Sequence, residues 1–97
     1  MSAYVVMIRE SLRDQDEFAT YTTAARAARA GHPITPVIGY GEVTTLEGAP
    51  VDGILVNEFP TVQDALDWYH SPAYQAALPH RHAAADYRVL IVPGVER

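Results

Sequence analysis

The chain has 97 residues, no cysteine and a formal net charge of −5, from 12 acids set against seven arginines and no lysine. These counts exclude disulfides and thiolate chemistry, lysine Schiff bases with any pyridoxal-phosphate mechanism, and a phosphate-cradling P-loop; an acidic chain without a basic stripe is also not built to bind nucleic acid. The length predicts one domain over residues 1–97, small enough for the extra burial of a homodimer to matter, and the apolar residues 3 to 8 are too few for a signal-peptide core or a membrane span, so a soluble cytoplasmic protein is expected.

Residues 3 to 9 are β-branched and aromatic with apolar side chains on both alternation faces, which predicts a strand covered on both sides. Asp14 with Gln15, Asp16 and Glu17 is a helix start carrying acids in the first turn, and Phe18, Tyr21, Thr22, Ala25 and Ala28 trace one face as far as the stop at Gly31. Pro33 and Pro36 forbid continuation and open an extended segment from about Ile34 to Leu46, where Gly39 and Gly41 flank Tyr40 and predict a bulge or a sharp curve. After the turn at Glu47 to Pro50, Gly53 to Phe59 forms a third strand, with Ile54, Val56 and Glu58 on one face and Leu55, Asn57 and Phe59 on the other. Thr61 caps a short helix, Ser71 with Pro72 restarts a second, Pro79 is expected to kink or shorten that second helix, and Asp86 to Val92 closes the chain as a fourth strand.

The order β-α-β-β-α-β, with its last helix broken in two, predicts an α+β ferredoxin-like plan: a four-stranded antiparallel sheet with helices on one face. The bare face must then carry either Val5 and Met7 or Tyr4, Val6 and Ile8, and one of the sets Val89/Ile91 or Leu90/Val92. Either way it is apolar, so two sheets packed face to face would close a dimeric α+β barrel, and a homodimer is expected.

Glu58-Phe59-Pro60, then Trp68-Tyr69, Ser71-Pro72 and Tyr74-Gln75, then Arg81 with Ala84-Ala85, and Val92 with Gly94-Val95 together resemble the domain of unknown function 1330 family of the dimeric α+β barrel superfamily. Asp14 to Tyr21 and Leu46-Glu47-Gly48 extend the resemblance over essentially the whole chain. The family tends to have paired glycines after the first helix and Arg-Gly-Gly in the second strand, where this chain has Gly31-His32-Pro33 and Gly39-Tyr40-Gly41. The resemblance implies a small molecule held between sheet and helices, because superfamily relatives include cofactor-independent monooxygenases, lactone isomerases, haem-degrading enzymes and stress proteins. Trp68, Ser71 and Tyr74 match the spacing of the haem-degrading relatives, but Leu78 stands where their axial histidine should fall, so a haem site is not expected.

His80 and His82 flank Arg81, and on a helix residues two apart point roughly 200° from each other, so they do not ligate one metal together; no metal and no cofactor are expected. His32 or His80 is the candidate base, Arg81 with Tyr69 or Tyr40 the candidate oxyanion donors, and Glu58 the orienting carboxylate, with Arg9 or Arg81 as its counter-ion. Tyr40, Asn57, Tyr69 and Tyr74 are candidate substrate-binding residues, since tyrosines pair an apolar body with a hydrogen-bonding tip. Two functions follow: a cofactor-independent enzyme of isomerase, cyclase or monooxygenase type acting on an oxygenated cyclic metabolite, or a non-catalytic dimeric ligand-binding or stress-associated module. A polar-lined pocket separates the first from a barrel filled by side chains.

Overall fold

A computed structural model describes residues 2–95. Its elements run β1 (Ala3–Leu12), α1 (Gln15–Ala27), β2 (Thr35–Gly39), β3 (Gly53–Phe59), α2 (Val62–Tyr69), α3 (Pro72–Ala84) and β4 (Ala85–Pro93). The strands form one sheet in the order β2-β3-β1-β4 with every neighbouring pair antiparallel, which is the ferredoxin-like arrangement. The helix starts read from the sequence are in place. Asp14 Oδ1 accepts from Glu17 N at 3.0 Å, Thr61 Oγ1 from Asp64 N at 3.0 Å and Ser71 Oγ from Tyr74 N at 3.3 Å.

Strand alternation decides which face carries the core. Ala3, Val5 and Met7 of β1 are at most 2 % exposed and stand in register with Phe59, Asn57 and Leu55 of β3. On this face pack Tyr21 and Ala28 after α1's first turns, Ala65 and Trp68 of α2, and Tyr74, Ala77 and Leu78 of α3. The opposite face carries Tyr4, Val6, Ile8, Ile54, Val56, Leu90 and Val92, and no helix covers it; Leu90 is 50 % exposed and Val92 48 %. The expectation that β1 is covered on both sides therefore holds within this chain for one side only.

Two other expectations are corrected. Regular pairing of β2 ends at Gly39 rather than near Leu46, because Tyr40 turns the chain away with φ of 62°. The helix α3 is not shortened at Pro79 but continues to Ala84. Proline leaves one carbonyl of the preceding turn without its helical partner, and here that carbonyl belongs to Gln75, an exposed residue as Pro79 is, where solvent can satisfy it. Among the described residues no helix is long and apolar enough to cross a membrane.

Candidate functional site

A partly open cavity of about 240 Å³ remains between the sheet and α1. Phe18, Tyr21, Thr22 and Ala25 face it because helical positions i, i+3, i+4 and i+7 share one side. Met7, Leu55 and Asn57 form the sheet side, Trp68 and Tyr40 close the walls, and Arg26 and Arg29 stand at the end of α1. Among the described residues the lining contains no carboxylate and no histidine.

Tyr40 reaches this wall through a left-handed backbone, a conformation that costs an L-residue roughly 1–2 kcal/mol and persists only when its surroundings hold it. Three contacts do so. Tyr40 N donates to Ile54 O at 2.9 Å, its ring lies 4.7 Å from the Arg9 guanidinium carbon, and its hydroxyl meets that of Tyr87 at 2.7 Å. Arg9 is itself fixed by Asp52 at 3.0 Å and also covers the Phe18 ring. The ring of Tyr40 passes so close to Gly53 that a Cβ built there would sit 2.9 Å from Tyr40 Cδ1, so the glycine at the start of β3 is what admits this wall.

The Tyr21 wall is backed by a directed hydrogen-bond chain. Arg81, 4 % exposed, donates from Nη1 to Tyr74 Oη at 3.2 Å, and the Tyr74 and Tyr21 hydroxyls are 2.8 Å apart. Arginine has no acceptor, so Tyr74 must accept there, and Tyr74 is fully buried with these two partners among the described residues. If Tyr21 were the donor, the Tyr74 proton would be stranded in the core. The satisfied arrangement has Tyr74 donating to Tyr21, which leaves the Tyr21 proton free on a residue that lines the cavity. The guanidinium also lies over the Tyr87 ring at 5.2 Å, while its Nε, like Trp68 Nε1, has no partner among the described residues.

Burial pushes the hydroxyls of Tyr21, Tyr40, Tyr74 and Tyr87 above the ordinary tyrosine value of 10.0. Mutual Tyr–Tyr contacts add to the shift at Tyr21 and Tyr40, while Arg81 opposes it at Tyr74. These hydroxyls therefore remain donors at neutral pH. Because the folded values are raised, the folded state holds its protons more tightly than the unfolded chain; stability is full below pH 10.0 and is lost progressively as pH rises above it. Chemical denaturation between pH 8 and about 11.5 should show a flat unfolding free energy up to about pH 10 and a steep fall beyond.

The residues singled out in the sequence fall in several places. Tyr40 and Asn57 line the cavity; Tyr74 stands directly behind Tyr21; Tyr69 packs edge-on against Trp68 and its ring centroid is 5.5 Å from that of Tyr74, outside the lining. Arg81 supports the cavity through Tyr74 rather than facing it. His80 pairs with Glu17 across α1 and α3 at 2.7 Å, away from the cavity. His32 and Glu58 come together in a separate broad depression of about 420 Å³ with Thr35 and Pro60. Glu58 takes neither expected counter-ion: it lies on the uncovered face in register with Tyr4, whereas Arg9 lies on the helix face with Asp52, and Arg81 with the tyrosines. Tyr21, Arg26 and Arg29 were not singled out. The signal for Tyr21 was a polar tip in the apolar stripe Phe18-Tyr21-Ala25, and for the arginines the continuation of Thr22 at i+4 and i+7.

The sequence pattern of the family described as "Domain of unknown function (DUF1330)" matches residues 2–95, and the chain belongs to that family. No curated protein matches it. Among solved structures it is similar to RPA0582, a protein of unknown function from Rhodopseudomonas palustris, with TM-score 0.78, 18% identity and coverage of 99% of this chain and 84% of that one. It is also similar to a dimeric protein of unknown function with a ferredoxin-like fold from Bacteroides fragilis, with TM-score 0.62, 16% identity and 96% of each chain covered. SnoaB, a cofactor-independent oxygenase from Streptomyces nogalater, matches with TM-score 0.58 and 14% identity over 99% of this chain and 94% of that one. At these identities the likeness establishes the fold.

Proposed function

We propose that this member of the family is a cytoplasmic homodimer that binds a small molecule in the cavity between sheet and α1, the ligand having a compact apolar body and an acceptor oxygen. The observation that carries this reading is Tyr21, which lines the cavity and whose hydroxyl meets that of Tyr74, itself the acceptor for Arg81; with Tyr74 donating to it, the Tyr21 hydroxyl keeps a proton of its own for a ligand oxygen. Met7, Phe18, Leu55 and Trp68 offer the apolar surface, and Asn57 a second polar group, the usual composition of a small-molecule site. The uncovered apolar sheet face supports the homodimer, as does the description of the Bacteroides fragilis structure as dimeric.

A catalytic role has one observation in its favour. A donor that serves a carbonyl serves the corresponding enolate better, because a charge-assisted hydrogen bond is roughly twice as strong. In such an enzyme, of the cofactor-independent type that SnoaB is described as, Tyr21 would stabilise the oxyanion, with Arg81 and Tyr74 as positioning residues. The base would come from the substrate or solvent, since neither His32 nor His80 lines the cavity.

Acetophenone and ethylbenzene share a ring and differ in the carbonyl. Calorimetric titration should show acetophenone binding roughly two- to tenfold more tightly, the effect of one neutral hydrogen bond, and Tyr21→Phe should remove that preference while still binding the ring. Equal affinities in the unmodified protein, or a preference that survives Tyr21→Phe, would remove Tyr21 from the site.

A further inference from the structure

We propose that the ligand is an anion, a single-ring carboxylic acid whose carboxylate is held between Arg26 and Arg29 at the rim of the cavity; the inference rests on the cavity reading above. It begins with the disposition of the arginines. Arg9, Arg13 and Arg88 are paired with Asp52, Asp86 and Glu10, and Arg81 is spent on Tyr74 and the Tyr87 ring. Arg26 and Arg29 make no ion pair among the described residues, although the chain carries 12 acids against seven arginines. In an acidic protein two cations thus line one cavity in whose wall no described residue is a carboxylate.

A role at the helix end accounts for only one of them. Arg26 lies in the last turn of α1, where a cation complements the helix dipole, but Arg29 lies beyond the cap residue Ala28 and is half-buried. Like charges three residues apart repel one another, and an anion between them turns that repulsion into two attractions. The guanidinium fork matches the planar carboxylate. Size narrows the class further: an apolar cavity of about 150 Å³ takes up benzene, so about 240 Å³ suits one substituted ring and is small for a fused polycycle. Such an acid would place its ring among Met7, Phe18, Leu55 and Trp68 and a second oxygen at Tyr21.

Trp68 is the only tryptophan and lines the cavity, so its fluorescence reports occupancy. The probes are 3- and 4-acetylbenzoate and the matching acetylbenzamides, titrated at low and high salt. At least one acetylbenzoate should bind about tenfold more tightly than its amide, as for one charge-assisted hydrogen bond, with an advantage that shrinks in salt. The double variant Arg26→Gln/Arg29→Gln should lose the advantage and retain the affinity for the amide. Amides binding as well as the acids, or an acid preference that survives the double variant, would overturn the anion assignment and leave the cavity reading in place. No Trp68 response to any of the four compounds would overturn both.

Discussion

Tyr74→Phe should lower the unfolding free energy by about 2–3 kcal/mol, more than a hydroxyl usually contributes, because it strands the buried charged donor of Arg81 and also removes the donor to the Tyr21 oxygen. Tyr74 is fully buried, and its oxygen is both the acceptor for Arg81 Nη1 and the partner of Tyr21. Arg81 already has an unpartnered Nε, so the guanidinium has little hydrogen bonding in reserve. Two variants separate this account from a simple packing defect. Tyr74→Phe/Arg81→Met removes both ends of the charged contact and should recover a large part of the loss, whereas Tyr74→Phe/Tyr21→Phe should recover little, since the arginine stays unpaired. Urea denaturation of the three variants is the measurement, and equal destabilisation in all of them would contradict a directed chain.

The second large effect concerns assembly. Val6→Glu/Leu90→Glu should convert the proposed homodimer into a monomer, read by light scattering on a sizing column, and should make the unmodified protein alone show a concentration-dependent melting temperature. The two residues face each other across β1 and β4 in the uncovered sheet face, beside Val56 and Val92. Burying two carboxylates without partners costs several kcal/mol each, while the same side chains on a solvent-facing sheet cost little, so the monomer itself should remain folded. A dimer that persists in this variant would place the contact on another surface.

Much of the fold was legible because local chemistry and topology agree. The caps at Asp14, Thr61 and Ser71, the stripe from Phe18 to Ala28 and the boundaries of β3 all follow from side-chain types at fixed spacings. The end of β2 was not, since it depends on a positive φ at Tyr40 that is stabilised by Arg9, Tyr87 and the absence of a side chain at Gly53, residues distant in sequence. The site divides in the same manner. Alternation along β3 places Asn57 with Leu55 and Phe59 on the helix face, and the cavity lining includes it. Which titratable groups converge there depends on how far α1 lies from the sheet, and no sequence period reports that distance. His80 drew notice through its neighbours Arg81 and His82, yet a helix surface turns it toward Glu17. Tyr21 was hidden in an apolar stripe where a tyrosine reads as core, and it is core, but its ring also lines the cavity and its hydroxyl meets that of Tyr74.

The most direct test of the central claim, that Arg81 and Tyr74 turn the Tyr21 proton into the cavity to meet a ligand oxygen, is a crystal structure of the protein soaked with acetophenone. The carbonyl oxygen should lie within hydrogen-bond distance of Tyr21 Oη, about 2.7–2.8 Å, with the ring against Met7, Phe18, Leu55 and Trp68. An unoccupied cavity at saturating acetophenone, or a bound ring whose oxygen points away from Tyr21, would contradict it.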